Sequence, residues 1–410
     1  MTLQSLMTKY NGYQVEMRRW FHQHPEESTK EFKTAERIRA ELDRAGIAWR
    51  QCGLPTGTLA RIEGKYPGRT ILLRGDIDAL SVQEETGLPF ASEVPGLMHA
   101  CGHDCHISML LTAAMMVNDI KDQLKGTVVF AFQPAEELGC GAHSMVDDGA
   151  LDGVDACFGM HVWSDYPAGT VASRKGPMMA SGDQFKIHVK GKATHGAQPQ
   201  LGADALLMGA AIAQNLQSIV SREIYPGETA VVTVGKFHAG TRFNVVAGTA
   251  ELEGTTRTFS PAIRDSFAER ITRIAQNTAQ AMRGSAEVEY NCLVPVTIND
   301  AHMVDVVNGA VTKIFGEKGP VESELQMGGE DFAYFQQKVP GAMVLLGVRN
   351  EACGAVWPQH HGCYTVDESV LVKGAALHVQ TALDFLGVDL KCHATLVLTP
   401  LTTPELTPSS

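Results

Sequence analysis

The sequence holds no run of lysine and arginine. Its 34 basic residues are outnumbered by 46 acidic ones, for a formal charge of −12, so the electrostatic footprint of a nucleic-acid or anionic-membrane binder is missing. Neither partner is expected. A long hydrophobic run is missing too: the longest strongly apolar stretch, Ile107 to Val117, is too short to span a bilayer, and the N-terminal segment shows no apolar core of a signal peptide. The nine cysteines are scattered and odd in number, which without an export signal argues against a disulfide framework. A cytoplasmic, reduced protein is expected, in which a special cysteine is a metal ligand or a nucleophile. No internal repeat is visible. Ordinary composition, 44% hydrophobic and 20% charged, excludes disordered, collagen-like and coiled-coil chains.

What is present is chain enough for two cores, since 410 residues exceed what one core usually holds. Residues 14–45 carry a helical period interrupted at His24-Pro25, which predicts two helices. Short apolar β runs at 70–73, 128–132 and 156–160 alternate with helical stretches at 106–118 and 141–149, which predicts an α/β layer with a mostly parallel sheet. From 182 to 295 the pattern changes to β-α-β-β-α-β, the order of an antiparallel sheet with helices on one face. This second domain is read as an insertion into the first, which spans 1–181 and 296–388. The remainder, 389–410, is rich in Thr, Pro and Leu and is read as a disordered tail.

Four patches carry chemistry, each at or near a predicted strand end, where open α/β sheets place their sites. Met98-His-Ala-Cys-Gly-His-Asp-Cys-His106 is the densest group of soft and borderline ligands. Cys101 and His103 suit a zinc- or manganese-class metal beside a helix N-terminus; alone, the patch equally fits a buried structural cysteine beside a capping Asp104. Glu136 and Glu137 are adjacent, so their side chains diverge and can take different work, one holding a metal and the other moving a proton; alone, they read as solvated loop glutamates. His161 follows a strand, and His360-His361 forms a polar turn. Together the patches supply five ligands, more than the four of a closed structural zinc site. That excess suggests two metal ions sharing a water and predicts a metal-dependent hydrolase.

Longer segments around these patches carry a resemblance. They are Arg19–Glu26, Leu73-Arg-Gly-Asp-Ile-Asp-Ala-Leu80, Met98–Asp104, Phe132-Gln-Pro-Ala-Glu-Glu137, Gly159-Met-His161, Thr194-His-Gly-Ala197 and Gly328-Gly-Glu-Asp-Phe332. Spread over about residues 15–388, they resemble the aminoacylase/carboxypeptidase family of dinuclear metallohydrolases. The nearest branch holds hippurate hydrolase and the plant auxin–amino acid conjugate hydrolases. The resemblance implies an α/β metallopeptidase domain with an inserted ferredoxin-like lid that also makes a homodimer. It implies two divalent ions (Mn²⁺, Zn²⁺ or Co²⁺) on Cys101, His103, Glu137, His161 and a C-terminal histidine. The branch places that histidine eight residues before the Glu of an Asp-Glu pair, and Asp367-Glu368 then points to His360 rather than His361. Glu136 is implied as general base and His195 as the lid histidine that serves the partner subunit. Asn244 and Arg257 are implied to hold substrate, with Gly328 and Gly329 offering backbone N–H groups. Asp76, Asp78 and Asp104 are implied to support the ligands from behind. Cys-x-His marks the branch, because other branches carry His-x-Asp where this chain has Asp76-Ile-Asp78.

The expected reaction is hydrolysis of N-acyl-L-amino acids to a carboxylic acid and a free amino acid. Rival readings are a dipeptidase, aminopeptidase or carboxypeptidase of the same family, a cysteine hydrolase using Cys101, and a non-catalytic metal- or peptide-binding protein.

Overall fold

The structure, a computed structural model, describes residues 1–390; all but the first two residues of the expected tail lie outside them. Along the chain, α1 (Leu3–Gln23) and α2 (Phe32–Arg44) precede β1 (Ala48–Gln51), β2 (Thr58–Glu63), β3 (Tyr66–Asp76), α3 (His103–Ile120), β4 (Lys125–Gln133), α4 (Gly141–Asp147), β5 (Ala156–Pro167), β6 (Val171–Ser173) and β7 (Gly176–Met179). Next come β8 (Ser181–Lys190), β9 (Thr194–His195), α5 (Ala205–Asn215), β10 (Ala230–Ala239), β11 (Val245–Val246), β12 (Thr249–Thr258), α6 (Pro261–Ala281) and β13 (Ser285–Val294). The chain closes with β14 (Thr297–Asn299), α7 (Ala301–Phe315), β15 (Pro320–Glu322), α8 (Ala333–Gln336), β16 (Gly341–Arg349) and α9 (Leu371–Leu386). Among the described residues no helix is long and apolar enough to cross a membrane.

Two compact units result. The first comprises Met1–Gly176, Asn299–Ser323 and the described chain from Tyr334 on; the second comprises Pro177–Ile298 and Glu324–Ala333. The Gly-Gly-Glu-Asp turn, expected with the first domain, is therefore part of the second unit. Its approach segment is stitched there by backbone bonds, Ala180 N–H to Gln326 O and Gln326 N–H to Met178 O, both 2.9 Å, which no local sequence pattern announces.

In the first unit an eight-stranded sheet runs β1-β2-β4-β3-β5-β16-β6-β15. Its centre, β4-β3-β5-β16, is parallel as expected, and β1 and β2 add an antiparallel edge. That edge has no clear sequence signal, because β1 has only four residues and three of them are exposed. The parallel strands read as continuous apolar runs because both of their faces are covered, and α3 and α9 are buried along most of their length. β4 lies on one side of β3 and β5 on the other, so the strand order reverses at the C-terminal end of β3, and such a switch point opens a crevice for a site. Leu390 packs into this core, so the described end of the chain is anchored.

The second unit is a four-stranded antiparallel sheet, β10-β12-β8-β13. Phe185, Ile187 and Val189 of β8 point inward to α5 and α6 while Lys186, His188 and Lys190 alternate outward. This is the expected ferredoxin-like arrangement.

α1 is tied to the start of α3 by buried charge. Arg18 Nε lies 2.9 Å from Asp104. His22, fully buried, donates from Nδ1 to Asp104 (2.8 Å) and from Nε2 to Glu84 (3.2 Å). Burial and the Arg18 guanidinium oppose its charging, but the Asp104 and Glu84 carboxylates outweigh them and raise the His22 pKa above 6.5. A raised folded-state pKa gives stability that is fully present below the unfolded value and lost as pH rises through the folded one. The stability difference between the wild type and His22→Gln is therefore expected to be fully present below about pH 6.5 and to shrink as pH rises above it. Urea unfolding on both sides of that pH measures it; a pH-independent difference contradicts the pairing.

Candidate active site

β3 and β4 end side by side at Asp76 and Gln133, with the Glu136-Glu137 loop just beyond, and β5 runs past them to Pro167 with His161 inside it. Gly102 starts α3 in a left-handed conformation at φ +96°. A Cβ there would meet Val162 Cγ2 at 2.4 Å and the Tyr364 hydroxyl at 2.9 Å, so only glycine lets Cys101 and His103 flank the helix start so closely.

The Glu136-Glu137 loop follows β4 and is held by carboxylates beneath it. Asp78 accepts the Glu136 N–H on Oδ1 (3.2 Å) and the Glu137 N–H on Oδ2 (3.1 Å), together with the Ser28 hydroxyl (2.6 Å). Burial would raise the Asp78 pKa, but the His103 imidazole and the Ser28 hydroxyl hold it below 3.8. Glu31, also buried, accepts the Ala135 N–H (2.9 Å) and the Thr56 hydroxyl (2.7 Å). The bonds pin Ala135 at φ +50°, a conformation a non-glycine residue adopts only under surrounding constraint.

The imidazoles are oriented by carbonyls. A carbonyl oxygen only accepts, so His103 Nδ1 carries the proton it gives to Asp78 O (2.8 Å), and His161 Nδ1 carries the one it gives to Val162 O (2.6 Å). Both Nε2 lone pairs are thereby left for the site. His161 Nε2 lies 3.3 Å from Cys101 Sγ. His360 has φ +66° and donates its N–H to Ala100 O (2.8 Å); its Nε2 lies 3.5 Å from Glu137 Oε1. His361 turns elsewhere, stacking on Trp357 at 4.4 Å with Nδ1 accepting the Cys363 N–H.

Sets of donor atoms within 4.8 Å of one another include Cys101, His103 and His161; Cys101, Glu137 and His360; His103, Glu136 and Glu137; and, behind them, Asp76, His103 and His106. Within them His103 Nε2 and Glu137 Oε1 are buried and have no hydrogen-bond partner. Burial drives the Cys101 thiol well above 9.0 and the Glu137 carboxyl above 4.5. Orphaned nitrogen and oxygen atoms beside a thiol that resists charging are what a bound cation would satisfy, and imidazole, thiolate and carboxylate together suit borderline divalent metals. The residues present fit such ions.

Behind the cluster, Asp76 bonds His106 and Arg74 Nη1 (2.9 Å) and lies 3.5 Å from His103 Nε2. Asp104 bonds Arg18 and His22 and makes no bond to the donor atoms. Glu31, Arg74 and His106 were given no role by the sequence; of these only His106 lay inside a patch dense enough to draw attention.

In the second unit, β9 pairs with β11, placing His195 opposite Val245 beside Asn244. The His195 Nδ1 accepts the Ala197 N–H (3.0 Å), so its proton sits on the exposed Nε2. Asn244 Oδ1 is buried without a partner. Arg257 lies across two glycines: a Cβ at Gly182 would sit 2.2 Å from Nη1, and one at Gly329 3.3 Å. Gly182, directly opposite Arg257 in the β8–β12 register, escaped the sequence reading, although glycine facing arginine across a ladder signals that the guanidinium needs the space.

Residues 72–384 match the sequence model of peptidase family M20/M25/M40. The chain belongs to that family. As a member it is a hydrolase of amide bonds, and the resemblance read from its motifs is borne out. It is 40% identical over 370 residues to an N-acetylcysteine deacetylase of Bacillus subtilis, covering 90% of this chain and 96% of the relative. It is 36% identical over 378 residues to the IAA-amino acid hydrolase ILR1-like 4 of Arabidopsis thaliana, covering 91% and 86%, and 38% identical over 375 residues to a thermostable carboxypeptidase of Saccharolobus solfataricus, covering 90% and 95%. Among solved structures, the YXEP protein of Bacillus subtilis, described as a dinuclear metal binding peptidase from the M20 family, superposes with a TM-score of 0.81 at 36% identity, covering 93% of this chain and 100% of that one.

If Asp78 holds the glutamate loop, Asp78→Ala leaves two N–H groups without their acceptor. The variant is expected to lose about 1–3 kcal/mol of stability and the exchange protection of the Glu136 and Glu137 amides. Hydrogen-exchange mass spectrometry over 130–140 reads this; unchanged protection contradicts the clamp.

Proposed function

We propose that this family member hydrolyses N-acyl-L-amino acids to a carboxylic acid and a free amino acid, with two divalent cations held by Cys101, His103, Glu137, His161 and His360. The observation that carries the reading is the pair of orphaned buried atoms, His103 Nε2 and Glu137 Oε1, inside donor sets that share Cys101. The N-acyl preference is supported by the similarity to the deacetylase and the auxin-conjugate hydrolase. The carboxypeptidase among the relatives supports a second reading, cleavage of a peptide C-terminal residue.

Bound cations would supply Lewis acidity and lower the pKa of a water between them. The chain does the rest. Glu136, aimed by Asp78 through its own N–H, takes the proton of the attacking water and hands it to the leaving nitrogen. Glu137 is kept from that work by its place among the ligand atoms. In the second unit, read as a lid, the Arg257 fork takes the substrate carboxylate, with Gly329 against the guanidinium and the N–H groups of Gly328 and Gly329 offered to substrate; Asn244, next to His195 on the β9–β11 pair, is the other residue read as holding substrate. His195 offers its Nε2–H to the oxyanion of the tetrahedral carbon. The reading places the enzyme in the cytoplasm, where the Cys101 thiol stays reduced.

It also makes the enzyme a homodimer through the lid. β10 is an edge strand, and Leu206, Leu207 and Phe243, the last 95% exposed, leave apolar surface on the same unit; an unpaired edge with apolar neighbours is suited to joining a second copy. His195 then serves the partner's site.

Two experiments test this. Glu136→Gln is expected to keep its metal and lose about 10²–10⁴-fold in turnover of N-acyl amino acids, whereas Glu137→Ala loses metal; full metal content in both variants overturns the division of roles. Mixing Glu136→Gln with His195→Ala under subunit exchange is expected to restore about a quarter of wild-type activity, the binomial value for a symmetric dimer with His195 acting in trans. No recovery despite demonstrated exchange contradicts trans action.

A further inference from the structure

We propose that His106 is the positioning residue that fixes the aim of His161 toward Cys101, working through the backbone of Val162. β5 pairs with β3 only as far as Gly159, where the ladder stops short of the site. Three residues on, the buried Val162 N–H finds its acceptor in a side chain: His106 Nε2, at 2.9 Å. The Val162 carbonyl accepts the His161 Nδ1 proton at 2.6 Å and the Gln359 amide at 3.0 Å. One residue of backbone thus carries His106 on its nitrogen and His161 on its oxygen. Holding that residue in place holds the carbonyl that decides which His161 nitrogen bears hydrogen, and so which one faces Cys101 at 3.3 Å.

The His106 ring cannot satisfy these bonds in another state. Because Nε2 accepts, the ring proton lies on Nδ1, where it is given to Asp76. Asp76 is held by Arg74 Nη1 at 2.9 Å, and Arg74 Nε donates to Gln133 Oε1 at 2.7 Å. Arg74, Asp76, His106 and Gln133 are all buried. The opposite tautomer would set an Nε2–H against the Val162 N–H and take from Asp76 Oδ1 the donor that His106 supplies, two unmet polar contacts in a dry setting. The ring also packs edge-on against His161, centroids 4.5 Å apart, so shape and hydrogen bonding agree. Asp76 reaches His161 only through this ring. An outer partner of this kind typically changes metal affinity by 10–100-fold.

The inference rests on the proposed metal site, and its test separates the two. Asparagine places its amide near the Nδ1 position and keeps a donor for Asp76 but no acceptor for Val162. Glutamine places its oxygen near Nε2 and keeps the acceptor. Zn²⁺ affinity, measured by competition with a chromophoric chelator, is therefore expected to fall about 10–100-fold for one of two ions in His106→Asn and to stay within about threefold of wild type in His106→Gln. A purely space-filling role predicts no such difference. Wild-type affinity for both ions in His106→Asn, or equal loss in both variants, overturns the proposal. Should either variant fail to fold, ¹⁵N NMR of the imidazoles in the chelator-stripped wild type decides it: His106 with hydrogen on Nδ1 and a bare Nε2 supports the proposal, and hydrogen on Nε2 overturns it. A wild type that binds no Zn²⁺ would remove the proposed function, while the ¹⁵N reading would still decide the role of His106.

Discussion

Asp78 accepts the N–H groups of Glu136 and Glu137 on its carboxylate and the His103 ring proton on its carbonyl. A single residue just past β3 therefore sets the height of the glutamate loop and the tautomer of an imidazole arriving from α3. β4 and α3 approach this point from different directions, and the shared acceptor brings their donors to a common centre, with Glu31 holding the loop one residue earlier at Ala135. The parallel sheet makes this possible: β3 lies between β4 and β5, so a residue just beyond its end is within reach of both neighbours.

The geometry concentrates groups that are costly to charge. Burial keeps Cys101, His161 and Glu137 from ionising, whereas the burial of His103 is outweighed by Asp76, Cys101 and Asp78 around it, which favour its charge, and hydrophobic α3 and α9 keep the region dry. A protein bearing such a cluster with no compensating ion bears the desolvation cost of every member. Arg74 and Asp76 neutralise each other close by, and Asp104 is matched by Arg18 and His22, which leaves the Cys101–Glu137 set as the place where positive charge is lacking. The same reasoning separates His360 from His361: only the former turns its ring to Glu137, at the expense of a left-handed backbone that the Ala100 carbonyl helps to hold.

Much of this is legible in the residues alone. The apolar runs of β3, β4 and β5 announce themselves by the polar residues that follow them, Asp76, Gln133 and His161, although β5 itself continues to Pro167, and Cys101-Gly-His103 and Glu136-Glu137 are dense enough to stand out locally. The inserted sheet shows in the alternation of Phe185 to Lys190. Residues that act over long sequence distance are silent. Glu31 reaches Ala135 across 104 positions, and nothing near Glu31 distinguishes it from its neighbours. His106 stands in plain view, but its task depends on Val162, whose N–H is left for a side chain only because β3 stops early. The segment 324–333 joins the second unit through backbone bonds to 178 and 180, and such bonds leave no trace in residue type. Gly182 needs its cross-strand partner Arg257 to be noticed.

The central claim is that the donor cluster of the first unit would hold two cations, Cys101 among the residues that hold them, and that amide hydrolysis depends on both. Titrating the chelator-stripped enzyme with Co²⁺ while recording visible absorption and N-benzoylglycine hydrolysis tests it most directly. The account predicts saturation at two ions per chain, a thiolate-to-cobalt charge-transfer band that is lost in Cys101→Ser, and activity that follows occupancy. Full activity in the stripped enzyme, or two bound ions with no thiolate band, would contradict it.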